Sequence, residues 1–364
     1  MTAAEILGLY ADDYDEARNK FVHAAETRGL PVHSYELDLR GPKGEALAVD
    51  AVLDGPPDAS KLLIVISGVH GVEGYPGSAI QTGALGLGTP RSCGADHDTA
   101  VLHVHAINPY GFAYTRRATQ ENVDLNRNFV DFADALPRNP GYDAIHELLL
   151  PREWPPAAAV EARLDDFRQR EGQKTFQRAL SLGQYTHPDG IHFGGVAPTW
   201  SNTTFRAILR RYAQACRHIG SIDIHTGLGP YGLGERIFAC LEEGAALDRA
   251  TSWWGELTSV TTGSSTSVPL TGPIQQALYD ECRQASKTNI CLEYGTVPHR
   301  EMVQALRAEH WLHRNGTRDQ AISSSVKRAL RDAFFPDRDD WKLDIWRQGE
   351  AAFRQALTGL KVVG

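Results

Sequence analysis

Two residues with the chemistry of metal ligands stand three positions apart in the glycine-rich segment Ser67–Gly74. His70 and Glu73 can point at one centre, because the flanking glycines let the backbone bend and approach a ligand closely. The segment directly follows Leu62–Ile66, a short apolar run typical of a strand buried on both faces. We therefore take His70 and Glu73 as candidate ligands of a metal ion.

A further candidate ligand, His225, lies in the segment Asp223–Gly227, directly after another apolar run. Two neutral imidazoles and one carboxylate are a common catalytic zinc set, which leaves a fourth position for water. We predict one Zn²⁺ per chain, bound by His70, Glu73 and His225. The alternative is that both histidines are turn residues hydrogen-bonded to loop backbone.

Glu293 closes a third apolar run, Asn289–Leu292, and so ends a predicted strand in the same way. A carboxylate beside a metal-bound water can take its proton and pass it to a leaving nitrogen. Its alternative role is that of a strand-end carboxylate paired with an arginine.

Polar residues also follow the run Val101–Ile107; they are Asn108–Phe112, Arg116, Arg117 and Asn122–Phe129.

These motifs, in their order along the chain, resemble those of the zinc metallocarboxypeptidase superfamily, the carboxypeptidase A-like enzymes. Those enzymes have H-x-x-E after one strand, then N-P-[DY]-G, D-x-N-R, a later strand ending in His and a late catalytic Glu. The sequence motifs around His70, Asp124, His225 and Glu293 look most like those of one bacterial branch of this superfamily, which is labelled as a domain of unknown function. The resemblance runs from about Lys61 to Thr296.

The resemblance implies roles for the reacting groups. Glu293 matches the general base of the superfamily. Arg116 or Arg117 matches the arginine that polarises the scissile carbonyl. The spacing after Gly111 leaves open which of the two faces the site, and we expect at least one to be a solvated surface charge.

The resemblance also implies how ligand and substrate are held. Asp124 matches the carboxylate that orients the first histidine ligand, with an Asx-type turn before Asn126 as its other role. Asn126 and Arg127 match the pair that grips a substrate carboxylate. Tyr231 is a candidate for the tyrosine that caps the substrate, as is Tyr294; both are alternatively packing aromatics.

The apolar runs alternate with helical segments. This alternation predicts an α/β fold with a mixed, mostly parallel central sheet flanked by helices, of the carboxypeptidase type. In open sheets of this class ligands bind beyond the carboxyl ends of the strands, where each of these clusters lies. We expect one domain over residues 1–364, with a helical and loop insertion at about 150–200 and a helical C-terminal extension.

Composition narrows the class of protein. The 364 residues are 42% hydrophobic and 23% charged, and 37 basic against 45 acidic side chains give a net charge of −8. Without a basic block, this balance argues against nucleic acid or an anionic membrane as partner. No signal peptide is recognisable, and five unpatterned cysteines indicate reduced thiols, so we expect a cytoplasmic protein. The oligomeric state stays open.

These observations favour a zinc hydrolase that cuts an amide bond next to a free carboxylate in a peptide or small molecule. An N-acyl amino acid deacylase of the aspartoacylase type is the alternative substrate class. A non-catalytic binding protein that keeps the fold is the alternative of another kind, whereas a serine hydrolase would need a G-x-S-x-G elbow. His187 and His192 are a weaker candidate pair for a second metal.

Overall fold

The computed structural model describes residues 1–363, and within them seven strands form one sheet in the order β1-β2-β4-β3-β5-β7-β6. Their bounds are β1 Val32–Arg40, β2 Ala46–Asp54, β3 Lys61–Ile66, β4 Thr99–His105, β5 His218–Tyr231, β6 Gly234–Phe238 and β7 Ser286–Gly295. The four central strands, β4, β3, β5 and β7, are mutually parallel. Strands β2 and β6 run the other way, so the predicted mixed, mostly parallel sheet is confirmed.

Helices lie before, between and after the strands. Their bounds are α1 Ala3–Leu7, α2 Tyr14–Thr27, α3 Gly74–Gly86, α4 Pro109–Ala113, α5 Pro140–Leu149, α6 Ala158–Glu171, α7 Gln173–Ser181, α8 Trp200–Tyr212, α9 Ala245–Trp254, α10 Gln276–Glu281, α11 His299–Asn315, α12 Gln320–Phe334 and α13 Asp339–Val362. Single turns of 3₁₀ helix occupy Gly71–Glu73, Pro90–Cys93 and Leu125–Arg127. Among residues 1–363, no helix combines the length and apolar character needed to cross a membrane.

Strand β3 shows why the sheet is covered on both faces. All six of its residues are buried, and alternate side chains of a strand point to opposite faces. Leu63 and Val65 pack in one core cluster with α3, α9 and α13. Leu62 and Ile64 pack in another with α8 and α10. The predicted α/β class with flanking helices is therefore confirmed.

The helices of the predicted insertion and extension pack on each other. Leu164 of α6 and Phe176 of α7 share a third apolar cluster with Leu306 of α11 and Leu330 of α12. By contrast, Trp341 and other α13 side chains enter the main core under the sheet. The C-terminal helices are thus built into the fold, and the division into one domain with an insertion stays a prediction.

Strand β6 was not predicted. Its sequence, Gly-Glu-Arg-Ile-Phe, is short and lies just after a glycine-rich loop, so its apolar content is too low to mark a strand. It pairs antiparallel with β7, where Glu235 faces Glu293 and Ile237 faces Cys291. This pairing extends the sheet beside the end of β7, which carries Glu293.

Candidate metal centre and its cavity

The three predicted metal ligands lie just beyond the last residues that β3 and β5 pair, Ile66 and Asp223. His70 follows β3 by a short turn, Glu73 lies in the 3₁₀ turn that leads into α3, and His225 lies within β5. Gly71 lets this turn pack against α4, because a Cβ on Gly71 would lie 2.0 Å from the carbonyl carbon of Gly111. A close backbone contact therefore holds the turn in place.

The ligand atoms of these residues converge. His70 Nδ1 lies 2.8 Å from Glu73 Oε1, and His225 Nδ1 lies 3.0 Å from Glu73 Oε2. The two Nδ1 atoms are 3.2 Å apart. Among residues 1–363, this is the one group of three or more histidine, cysteine or carboxylate residues with ligand atoms within 4.8 Å of one another. All three side chains are buried.

Each histidine also has a carboxylate at its far ring nitrogen. His70 Nε2 lies 3.2 Å from Asp124 Oδ1, and His225 Nε2 lies 2.8 Å from Asp223 Oδ2. A carboxylate in this position takes the ring N–H and leaves the lone pair of the other nitrogen for a metal. Arg117 Nη2, which can only donate, also lies 2.8 Å from His70 Nε2, so Asp124 and Arg117 compete for that nitrogen.

These residues fit a divalent cation. Once their protons are displaced, the two Nδ1 atoms, 3.2 Å apart, and the carboxylate of Glu73 form a donor set for a positive ion. Burial opposes ionisation of Glu73, but His70, His225 and Arg117 around it bring its pKa below the usual value. The carboxylate is therefore charged. Two imidazoles with one carboxylate suit zinc better than calcium or magnesium, which prefer oxygen ligands.

Glu293 lies across from this cluster. In the β5–β7 pairing it is the register partner of His225, and its Oε1 accepts a hydrogen bond of 3.0 Å from the backbone N–H of Leu228. Burial, and after it the negative charge of Glu73, raises the pKa of Glu293 to about 8. A carboxyl group with a raised proton affinity can hold a proton near neutral pH and donate it to a leaving group.

The structure separates the two candidate arginines. Arg117 lies in the cluster, with Nη1 donating to Glu73 Oε1 at 2.8 Å and Nε donating to Asp124 Oδ2 at 3.0 Å. Arg116 points elsewhere: Nε donates to Glu309 and Nη2 donates to Asn122. Arg116 is 1% exposed, so the expectation that one of the two is a solvated surface charge is wrong. A role for Arg116 at the reacting bond does not fit its place.

The turn Asp124–Arg127 lies beside the metal ligands. Asp124 Oδ1 accepts from the backbone N–H of Asn126, so the expected Asx turn coexists with the contact to His70. Asn126 Oδ1 accepts from the backbone N–H of Ile274, and its amide nitrogen has no protein partner within residues 1–363. Arg127 differs from expectation, because Nε and Nη2 both donate to the carbonyl oxygen of Ser181. The Nε–Nη2 edge of the Arg127 guanidinium is therefore already hydrogen-bonded within the protein.

A cavity of about 310 Å³ opens beside these groups. Its lining includes the three candidate ligands together with Glu293, Arg117, Asn126, Arg127 and His192. The rest of the wall comes from α7, the end of β6, the loop before α10, and the helices α11 and α12. The volume suits a small ligand or the end of a larger one.

A comparison with models of known protein families shows which family the chain belongs to. Residues 10–348 match the family described as protein of unknown function, DUF2817. The chain belongs to this family. This match confirms the predicted branch of unknown function. No curated protein matches the sequence.

Several solved structures are similar to this DUF2817 protein. Bovine thrombin-activatable fibrinolysis inhibitor, solved with a tick carboxypeptidase inhibitor, is 12% identical, with 89% of this chain and 96% of that chain covered at a TM-score of 0.44. Carboxypeptidase A from Helicoverpa armigera is 12% identical, covering 93% and 73% at 0.43. The succinylglutamate desuccinylase from Chromobacterium violaceum is 14% identical, covering 86% and 72% at 0.37. These scores are low, so the functional proposal stands on the geometry of the site.

Two aromatic candidates lie away from the cavity of this DUF2817 protein. Tyr231 is 46% exposed near the end of β5, and its hydroxyl donates to Asp340 at 3.4 Å. Tyr294 is fully buried because its side chain points to the sheet face opposite Glu293. Tyr231 as a substrate-capping residue is therefore a wrong prediction. Within residues 1–363, no tyrosine lines the cavity.

The candidate second metal pair is also not brought together. His187 Nε2 lies 2.9 Å from Asp143, and its ring stacks on His146. His192 Nδ1 instead lies 2.8 Å from Asp124 Oδ2. The two histidines thus contact different carboxylates.

Three residues of the site have a place that the sequence did not indicate, and His192 was considered only as a ligand of a second metal. Asp223 contacts His225, Gln275 donates to Asp223 Oδ2 at 2.9 Å, and His192 contacts Asp124. The D-x-H spacing of Asp223 and His225 was a usable signal, because residues two apart in a strand share a face. Gln275 and His192 come from loops distant in sequence, and nothing in their local pattern indicates this place.

Proposed function

We propose that this protein is a zinc-dependent hydrolase that cleaves an amide bond next to a free carboxylate. The observation that carries the proposal is the convergence of His70, Glu73 and His225 beside a cavity that also contains Glu293. His70 and His225 would hold the metal through Nδ1, and Glu73 through its carboxylate. When bound, zinc supplies a Lewis acid that polarises a carbonyl group and lowers the pKa of water.

The chain's own groups divide the remaining work. Glu293 takes a proton from the attacking water and delivers it to the leaving nitrogen. Burial and Glu73 raise its pKa, which favours holding the proton between the two steps, and a bound cation would lower that pKa so that the carboxylate is ionised beforehand. Arg117 offers positive charge for the developing oxyanion, since its guanidinium lines the cavity. Its contacts with Asp124 and Glu73 hold it in that orientation before substrate arrives.

Recognition of a carboxylate falls to Asn126 and Arg127. The amide nitrogen of Asn126 is free to donate, and Arg127 lines the cavity although one edge of its fork is bound to Ser181. Asn126 therefore makes the more direct contact, and Arg127 contributes mainly charge, because its Nη1 also donates to the carbonyl oxygen of Asn126 at 2.9 Å. This differs from a guanidinium fork that is wholly open to the substrate.

The size of the cavity favours small substrates, either short peptides or N-acyl amino acids. A volume of about 310 Å³ lies at the lower end of the range for ligand pockets. Deacylation of an N-acyl amino acid is therefore the second candidate. It uses the same groups, since both reactions hydrolyse an amide beside a carboxylate.

The test is a screen of short peptides and N-acyl amino acids against zinc-loaded protein, with products identified by mass spectrometry. Each substrate is paired with its C-terminal amide or methyl ester. We expect hydrolysis of free acids and a loss of about ten-fold or more in kcat/KM for blocked partners. Equal cleavage of blocked and free substrates would refute carboxylate recognition. Binding without turnover of any compound would favour the non-catalytic alternative.

A further inference from the structure

His192 lines the cavity, and its contact with Asp124 fixes the position of its ring proton. His192 Nδ1 lies 2.8 Å from Asp124 Oδ2. Burial opposes ionisation of Asp124, but Arg117 and Arg127 keep its pKa well below the usual value. An ionised carboxylate can only accept hydrogen bonds, so the proton of the neutral imidazole is on Nδ1 and Nε2 carries a lone pair. Burial lowers the pKa of His192 to about 3, which keeps the ring neutral.

The Nε2 atom of His192 is open to a ligand. Among residues 1–363 it has no hydrogen-bond partner, and protein atoms do not enclose it completely. The side chain is 5% exposed, so a ligand that fills the cavity displaces the water that can reach this nitrogen. An acceptor that is buried without a donor costs free energy. A well-matched ligand therefore supplies a hydrogen-bond donor here.

The backbone around His192 holds the ring in this place. His192 has a φ of 54°, in the left-handed region that residues with a side chain rarely adopt. Gln184 N–H donates to the carbonyl oxygen of His192 at 3.2 Å, and Asp124 N–H donates to that of Phe193 at 2.8 Å. Such a conformation persists where the surrounding structure determines it, and it is frequent at functional sites. The direction of Nε2 is thus set before a ligand arrives.

Arg117 lies next to the His192 ring. Arg117 Nε donates to Asp124 Oδ2 at 3.0 Å, and this is the same oxygen that His192 Nδ1 contacts. A substrate carbonyl that faces Arg117 is therefore close to His192 as well. In an extended peptide the N–H and the C=O of one residue point to the same side. The N–H of the residue that supplies the scissile carbonyl is then directed to the side of the cavity where His192 lies.

Building on the proposed function, we propose that His192 Nε2 accepts a hydrogen bond from the N–H of the residue that supplies the scissile carbonyl. Peptides have this N–H, whereas an N-acetyl amino acid lacks it. A substrate without the donor leaves Nε2 without a partner in the filled cavity. His192 is thus a specificity-determining residue, and it favours peptides over simple N-acyl amino acids.

The substrate test compares N-acetylglycylalanine with 4-oxopentanoylalanine. The two compounds differ only in that a CH₂ group replaces the N–H that His192 would bind. We expect kcat/KM of zinc-loaded protein to be about ten-fold higher for the N-acetylglycyl compound, the scale of leaving one buried acceptor unpaired. Equal kcat/KM for the two compounds would overturn the assignment and leave the hydrolase proposal intact.

His192→Asn tests the residue itself. Asparagine tolerates a positive φ, and its amide N–H can still donate to Asp124, but it does not extend to the position of Nε2. We expect an unchanged zinc content, an about ten-fold lower kcat/KM for the N-acetylglycyl compound and no change for the 4-oxopentanoyl compound. His187→Asn, in the same loop but outside the cavity wall, is the matched control and should keep the preference. An equal loss for both compounds, or a preference that survives in the folded variant, would refute the role of His192.

A binding measurement separates this inference from the hydrolase proposal. Calorimetry with zinc-loaded Glu293→Gln protein leaves both compounds intact and is expected to give about ten-fold tighter binding of N-acetylglycylalanine. The difference should vanish in the Glu293→Gln, His192→Asn double variant. Preferential binding without hydrolysis by the parent protein would uphold the contact and refute the reaction. Equal or absent binding of the two compounds to the Glu293→Gln protein would overturn the contact.

Discussion

At the scale of single residues, the two proposed histidine ligands are each held by a carboxylate. Asp124 serves His70, and Asp223 serves His225. Burial opposes ionisation of Asp124, but Arg117 and Arg127 beside it keep its pKa well below the usual value. These carboxylates fix the ring tautomers on which metal binding depends.

Asp223→Asn tests this orienting role. Asparagine keeps the size of the side chain but removes the charge that retains the proton on His225 Nε2. We expect zinc affinity to fall by about ten- to a hundred-fold, the usual effect of losing such a partner. Competition with a chromophoric chelator measures it, and circular dichroism checks the fold. Unchanged affinity would mean that Asp223 does not orient His225.

Glu293→Gln tests the proposed base. The substitution keeps shape and removes the proton acceptor, so turnover of the best substrate should drop by about two to four orders of magnitude. Zinc content and substrate affinity should stay near those of the parent protein. The exposed Glu301 provides a matched control, Glu301→Gln, expected to be fully active. A Glu293→Gln protein of near-normal activity would place the base elsewhere.

At the scale of elements, the turn Gly71–Glu73 must pack tightly on α4 to present His70 and Glu73 together. Gly71→Ala would force the new Cβ into the backbone of Gly111, so this turn or α4 must shift. We expect a clear loss of thermal stability and weaker zinc binding. Gly86→Ala, in α3 with nothing within 4 Å of the added carbon, should be neutral or slightly stabilising. If the two variants have the same thermal stability and zinc affinity, the close contact between Gly71 and Gly111 does not support the metal site.

Strands with a strong local signal could be predicted from the sequence. Leu62–Ile66 and Val101–Ile107 are dense apolar runs, and the polar residues directly after them were predicted to meet at one edge of the sheet. The orientation of Arg116 and Arg117 could not be predicted, because it depends on Glu309 in α11, nearly two hundred residues away. Arg127 and Ser181, and Asp124 and His192, are likewise paired by tertiary packing alone.

At the scale of the whole molecule, two buried neutral histidines of β4 tie stability to pH. Burial, together with Arg28, lowers the pKa of His103 to about 3, and burial lowers that of His105 to about 4. Below about pH 6.5 the unfolded chain binds protons that the folded chain does not. The free energy of unfolding should therefore fall as pH decreases from 7 to 5.

Urea denaturation of chelator-treated protein measures this slope. In the folded protein the His103 ring has an unpartnered Nδ1 and lies near Phe21 and Phe353, so His103→Leu is compatible with its surroundings. The variant should show a shallower loss of stability between pH 7 and 5, because one proton-binding group of the unfolded chain is gone. An identical slope would assign the acid sensitivity to other groups.

The metal content of the purified protein tests the central claim most directly. Elemental analysis after equilibration with zinc and removal of excess metal should find one zinc per chain. It should find none in a His70→Ala, His225→Ala double variant that keeps its circular dichroism spectrum. The parent should also melt at a higher temperature with zinc than with chelator, since a ligand that binds only the folded state stabilises it. Absence of stoichiometric metal in the parent, or equal metal in the double variant, would contradict the account.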